Sequence, residues 1–357
     1  MAQRKNSRPV APPASPRSIA VVGAGMAGIA CARTLMQAGY RVSVFEKSRG
    51  PGGRMATRRS EFGGFDHGTQ YFTIRDPRFK LALKTAADTV LPWQIKTVRI
   101  MDEAGRVATA SGPDTEPHWV AATGMNSLPR LWAEPLTSLH AQTLVTRIET
   151  DRLSSGRWQL QTEGPGAQTQ VHAGFDAVLL ALPSVQAAAL LRASQQWPQA
   201  QERLAAVQVA PCWTLMLAFP QASGPLGPTW QAARSAHHRI AWLTRETSKP
   251  GRGTIERWTV QASPAWSERH LEDDDERVKA KLLRAFTEVT GIRAEPGHAQ
   301  VHRWRYAQTM QALGQSHLWQ ADSGLGLCGD WCLGRRVEDA FISGLELALA
   351  TIASLGE

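Results

Sequence analysis

A short β-branched apolar run, Ser18–Val22, passes directly into Gly-Ala-Gly-Met-Ala-Gly, and this junction constrains the fold more than any other feature of the chain. Ala30, Cys31, Leu35 and Ala38 then recur at helical spacing, which predicts a helix over Ile29–Ala38 with Gly39 as its C-cap. Arg41–Phe45 alternates apolar and polar residues as a second strand. The pieces make a βαβ unit, the setting in which Gly23, Gly25 and Gly28 read as a dinucleotide fingerprint. Gly23 permits the tight turn, Gly25 lets the backbone approach a pyrophosphate, and Gly28 lets helix and strand pack closely. The helix N-terminus, with Met26 and Ala27, offers unpaired N–H groups to phosphate oxygens. Glu46, followed by Lys47, closes the second strand where an acid accepts bonds from ribose hydroxyls and disfavours a 2′-phosphate. FAD or NAD is expected here rather than NADP.

Two further segments favour FAD over NAD. The run RGPGGRMATRR can reach back over the pyrophosphate: Gly52 and Gly53 permit close approach, and Arg54 can pair with phosphate charge. FGGFDHGTQYFT, containing His67, Gly68 and Gln70, is glycine-rich and aromatic and suggests a loop crossing a ligand site. Near the other end, Leu325–Cys328 reads as a strand, with Gly329 and Asp330 at its end and Asp330 placed to bond ribityl hydroxyls. Val337–Ala350 reads as a helix packing through Ala340, Gly344, Leu347 and Ala348. Its N-terminus, Val337 and Glu338, would point at the flavin N1/O2 edge and favour the anionic reduced ring.

Elsewhere the pattern predicts a short helix over Leu81–Val90, a hairpin of Val98–Ile100 with Arg106–Thr109, and a helix over Asn126–Leu136. Strands are expected at Leu144–Thr150, Trp158–Thr162 and Asp176–Leu182, a helix at Ser184–Arg192, and strand-like chain from Pro211 to Trp258. Ser263 and Pro264 read as an N-cap with proline at the first helical position. Asp273–Thr290 is an amphipathic helix with Val278, Leu282, Phe286 and Val289 on one face. Its acidic start, EDDDE, suits the helix dipole better than a metal, whose ligands must converge. The expected organisation is a disordered basic tail over 1–17, a discontinuous FAD-binding domain of 18–85, 118–190 and 310–357, and a substrate domain of 86–117 and 191–309.

Composition removes several classes. The net charge of +9 owes much to tail residues Arg4, Lys5, Arg8 and Arg17 and to Arg49, Arg54, Arg58 and Arg59 beside the expected pyrophosphate. No aromatic-interleaved basic stripe remains for nucleic acid. No apolar run spans a bilayer, the tail lacks the apolar core of a secretory signal, and four scattered cysteines suit a reducing cytoplasm. Cys328 and Cys332 lack two further ligands at zinc spacing, and small core residues are the preferred reading. No metal and no protein partner are implied.

GAGMAG, RGPGGRMATRR, FDHGTQYFT and LCGDWCLGRRVEDAFISG together resemble the bacterial branch of the renalase family, FAD flavoproteins of the amine-oxidase-like group. APCWTLMLAF, ASPAWSERHLE and HRWRYA resemble it too, and the likeness runs from about Ser18 to the C-terminus. Arg335–Arg336 departs from it, where a glycine and an arginine are expected. The resemblance implies an α/β Rossmann-type FAD domain of the p-hydroxybenzoate-hydroxylase type, joined to an α+β substrate domain on an antiparallel sheet. It places Val145 beside the adenine and implies that FAD is held without a covalent bond. It further implies oxidation of mis-reduced dihydro isomers of NAD(P)H to NAD(P)+, by hydride transfer to flavin N5 with O2 reduced to H2O2. Such chemistry needs ring contact more than a base, because losing hydride restores pyridinium aromaticity. Candidate substrate-pocket residues are Gln70, Tyr71, Trp213, Trp258, His302 and Trp304; His67 or His302 is either a proton carrier or a structural histidine. Two alternatives stand beside this reading: another flavin amine oxidase or desaturase, and a non-enzymatic dinucleotide-binding sensor.

Overall fold

Ser18–Val22 forms strand β1, Met26–Gln37 helix α1 and Arg41–Glu46 strand β2, so the glycine motif opens a parallel βαβ unit. The computed structural model describes residues 16–95, 98–103, 106–110, 116–224 and 226–356; residues 1–15 of the basic tail lie outside the described residues. β1 is central in a six-stranded sheet. On one side lie β2 and Leu139–Ala141; on the other lie Ala177–Leu180, Leu325–Leu327 and the edge strand Leu318–Gln320. All pairings are parallel except the last, which is antiparallel. β1 and Ala177–Leu180 are almost wholly buried apolar runs, as strands covered on both faces must be.

The helix Val337–Leu355 packs on α1 at very short range. A Cβ on Gly344 would collide with the Ala27 carbonyl, and one on Gly28 with the Gly23 carbonyl. Gly28 and Gly344 are therefore contact points where backbone meets backbone.

A seven-stranded sheet forms the second layer system. Its order is His298–Gln311, Gln208–Phe219, Glu256–Ala262, Ile240–Arg245, Ala232–Ser235, Val98–Met101 and Val107–Ala110. Every pairing is antiparallel save Ala232–Ser235 with Val98–Met101. The helix Asp275–Thr290 covers one face, burying Val278, Leu282, Ala285, Phe286 and Val289 against Trp213, Leu215, Trp258 and Val260. Asp274 caps it by accepting from the Arg277 amide at 2.9 Å, and Gly291 at φ 72° ends it. Glu272 pairs with Arg303 and Arg305, and Asp273 with Lys281 and His270, so the acidic stretch is used in capping and ion pairs. The mixed α/β fold with a sheet-rich second domain is as expected.

Some elements differ from their sequence reading. The helix expected at Leu81–Val90 spans Pro77–Leu83 and continues as a 3-10 turn to Ala86, while Val90 starts the strand Val90–Trp93. Asp76 caps this helix and Pro77 sits in its first turn. The helix Pro198–Leu204 packs with Ser184–Ala193 in the Rossmann-side core, through Ala200 and Leu204. We therefore propose a domain boundary near Val207 in place of 190/191. No helix among the described residues is long and apolar enough to cross a membrane.

Candidate active site

One cavity of about 1810 Å³ runs from the glycine turn of α1 to the seven-stranded sheet. Small-ligand sites usually occupy about 300–1,000 Å³, so this one has room for a dinucleotide and a second ligand. Gly23, Gly25, Met26, Ala27, Glu46, Lys47, Gly53, Arg54 and Val145 line one end. His67, Gly68, Gln70, Tyr71, Trp242, His302 and Trp304 line the other, and Gly329, Asp330, Val337 and Ala340 complete the wall. The sequence motifs thus converge, although their residues come from widely separated parts of the chain.

The first end fits a dinucleotide. Gly25 caps α1, and a Cβ there would meet no heavy atom within 4 Å, so the helix N-terminus faces open space. The Glu46 carboxylate is fixed at the wall by the amides of Ala24 (2.8 Å) and Ser48 (2.7 Å), leaving acceptor capacity for hydroxyls. Gly68 lies against the Arg54 carbonyl, which also accepts from the Thr69 amide at 2.8 Å. Arg54 makes a two-pronged pair with Asp330, at 2.8 and 2.5 Å. Each offsets the other's charge on the cavity wall, where both residues line the space expected to hold the cofactor.

Other expected site residues lie elsewhere. Trp213 and Trp258 are fully buried beneath the Asp275–Thr290 helix and do not reach the cavity. Their indole N–H groups are taken by the His270 carbonyl and the Glu256 carboxylate. Strand alternation turned them away from the ligand face, and the aromatic character seen in sequence could not show which face they took. Glu338 is also off the cavity: its carboxylate accepts from the amides of Arg75 (2.6 Å) and Asp76 (2.7 Å) and from Arg336. Gln70 lines the cavity, but its amide is consumed. It donates to the carbonyls of Asp66 and Gly68 and accepts from Lys249 at 3.3 Å.

Behind Gln70 lies a buried ionic cluster that sequence reasoning missed. Asp66, Glu246, Lys249, Arg252 and Arg257 are all nearly or wholly inaccessible. Asp66 accepts from Thr57 (2.7 Å), the Met125 amide (2.9 Å), Lys249 (3.0 Å) and Arg252 (2.6 Å). Burial alone would raise its pKa, but Lys249, Arg252 and these bonds outweigh burial and hold it at about 2. Glu246 takes the Asp66 amide and the Thr259 hydroxyl and faces Lys249 at 3.1 Å. The cluster locks the loop 66–70 against the second sheet.

On the cavity side of that loop, His67, His302 and Trp304 pack ring to ring at centroid distances of 4.5–5.0 Å. The Trp304 indole donates to the His67 carbonyl at 2.9 Å, and Gln261 donates to the Gly68 carbonyl at 2.6 Å. Burial, then the neighbouring His302 and Arg58, lowers His67 to about 3; burial and Arg58 lower His302 to about 4. Both rings are neutral at physiological pH, which argues against either as a general acid. An Arg58 N–H lies 3.4 Å from His302 Nδ1, and a guanidinium only donates, so the neutral ring carries its proton on Nε2. The His67 Nδ1 is buried without a hydrogen-bond partner.

Comparison with known proteins accounts for this layout. Residues 21–84 match the NAD(P)-binding Rossmann-like domain, and residues 111–351 match the flavin containing amine oxidoreductase family. The chain belongs to the flavin containing amine oxidoreductases. This flavin amine oxidoreductase therefore takes FAD as its cofactor, and we propose that the wall from Gly25 to Ala340 holds it. A protein from Exiguobacterium sp. 255-15, provisionally named a protoporphyrinogen oxidase, superposes with a TM-score of 0.75 at 15% identity, over 96% of this chain and 100% of that one. The cyclohexylamine oxidase of Brevibacterium oxydans IH-35A superposes at 0.71 with 12% identity, over 96% and 100%. At such identities the likeness is one of fold. In sequence, the L-amino-acid oxidase of Daboia russelii is 48% identical over 46 residues, which are 13% of this chain and 9% of that protein. The hydroxyneurosporene desaturase of Cereibacter sphaeroides is 45% identical over 58 residues, 16% and 12% of the two chains. The matched segments thus span roughly a tenth of these curated relatives.

Proposed function

We propose that this flavoprotein oxidises mis-reduced dihydro isomers of NAD(P)H to NAD(P)+. The observation that carries the reading is the sign of charge beside the second sheet. Arg58 and Arg234 line that part of the cavity, and neither has an acid partner among the described residues. Tyr71, Trp242 and Trp304 supply flat walls, Tyr71 and Trp242 with centroids 5.6 Å apart. Cations with aromatic faces suit a planar ring carrying phosphates. An alkylammonium substrate would meet repulsion there, which weighs against the amine-oxidase alternative despite the shared family.

Bound FAD would supply the hydride acceptor and return the electrons to oxygen, so that dihydro-NAD(P), a proton and O2 give NAD(P)+ and H2O2. The protein's part is placement. Trp304 and the loop 67–70 fix the floor of the ring pocket, and the neutral histidines add no positive charge beside the donor. No side chain has to remove a proton.

Visible absorption of the FAD-loaded protein under anaerobic conditions tests this. Rapid bleaching by dihydro-NAD isomers, reversed by air with formation of peroxide, is the expected result. Bleaching by primary amines but not by these isomers would replace the reading with the amine-oxidase alternative. A flavin spectrum that no reductant of either class changes would favour the dinucleotide-binding sensor.

A further inference from the structure

The cavity holds more positive charge than FAD can account for. Twelve lysine and arginine side chains line it against three acids, Glu46, Glu116 and Asp330. Arg54 pairs with Asp330, Arg75 with Glu116, Arg303 and Arg305 with Glu272, and Arg336 with Glu338. The remaining seven cations form no ion pair among the described residues, and the FAD diphosphate neutralises about two of them.

Arg58 is the most constrained of these. It sits on a strand rung opposite Phe65, so its Cα is fixed, and it is half-buried. Among the described residues its guanidinium has one side-chain hydrogen-bond partner, the acceptor nitrogen of His302. His302 is fixed in turn by its pairing with Thr214 in the second sheet. A partly desolvated cation beside a neutral ring is a costly arrangement without an anion to complete it. The unpartnered Nδ1 of His67 lies in the same ring cluster.

We propose that Arg58 and His302 seat the diphosphate of the substrate dinucleotide, a second anion site in the same cavity as that of FAD. The guanidinium supplies paired N–H donors and the Nε2 proton of His302 supplies another. Trp304, packed on His302, sets the ring's orientation. The proposal rests on the dinucleotide reading above and specifies which residues recognise the substrate's charge.

Two measurements on the FAD-loaded protein test it. The first is calorimetric titration with inorganic pyrophosphate of the wild type, Arg58→Gln, Arg58→Lys and His302→Gln. Arg58→Gln is expected to weaken binding about tenfold or more, with Arg58→Lys between it and the wild type. The second compares a dihydronicotinamide dinucleotide with the phosphate-free dihydronicotinamide riboside. In Arg58→Gln the KM for the dinucleotide should rise about tenfold, and that for the riboside less than about twofold. Unchanged pyrophosphate affinity in Arg58→Gln, or equal KM increases for both substrates, overturns the proposal. If the wild type oxidises neither compound, the functional reading fails and the pyrophosphate titration alone decides the subsite. Retained flavin absorbance and an unchanged melting temperature identify variants that have folded.

Discussion

Asp66→Asn is expected to lower the stability of the folded protein by about 3–5 kcal/mol, the cost of leaving buried charges without their partner. The carboxylate is fully buried and its two oxygens are satisfied by four donors, two of them the cations of Lys249 and Arg252. An asparagine keeps the volume but offers one acceptor oxygen and brings two N–H donors into a cluster already rich in them. Lys249 would retain Glu246, but Arg252 would be left with the Ala121 carbonyl. Urea unfolding at neutral pH measures the loss, and a difference below about 1 kcal/mol would sink the claim. The acid limb gives a second reading. Because the folded-state pKa of Asp66 is depressed to about 2, its contribution is present above the ordinary carboxylate pKa and is lost as pH falls towards about 2. The gap between wild type and variant should therefore narrow over that window.

Gly25→Ala is expected to leave the FAD-free fold within about 1 kcal/mol of wild type, the cost of alanine at an N-cap, while weakening FAD binding by about two orders of magnitude. The basis is the contrast with Gly28. A Cβ at Gly25 meets nothing within 4 Å, whereas one at Gly28 strikes the Gly23 carbonyl and must push α1 from β1. Gly25 also has an ordinary extended φ of −73°, so alanine adds no backbone strain there. What the new methyl would occupy is the approach to the helix N-terminus, where a pyrophosphate needs backbone contact. Gly28→Ala should instead lower stability by about 1–3 kcal/mol, with loss of FAD as a consequence. Thermal unfolding without FAD, together with FAD titration, separates the two. Unaltered FAD affinity in Gly25→Ala would place the cofactor away from that turn.

Local chemistry made the first half of the site readable. The βαβ unit, Glu46 and the C-terminal strand–helix pair are each written in contiguous residues, and the fold needed only their standard connection. The cavity's second half was harder to read. Asp66 and Lys249 stand 183 positions apart, and Ser-Lys-Pro-Gly-Arg-Gly looks like an exposed turn until a buried carboxylate is found opposite it. Arg58 and His302 meet across 244 positions. The thirteen tryptophans marked an aromatic protein, but strand register decided that Trp242 and Trp304 face the ligand while Trp213 and Trp258 fill the core. The acid cap Asp76 before Pro77 is legible in the sequence, and it starts the helix at Pro77, four residues ahead of the apolar spacing that begins at Leu81.

The six-stranded sheet also dictates a kinetic order. Its central strand β1 hydrogen-bonds to residues about 160 positions away, and the next strand over lies a further 150 or so along the chain. Such distant partners make closure entropically slow, and the nascent chain must wait with apolar strand edges uncovered. A cofactor that binds the finished arrangement in preference to the open chain would draw the population towards it by mass action. Refolding without FAD would therefore leave more of the late, edge-exposed species than refolding with it.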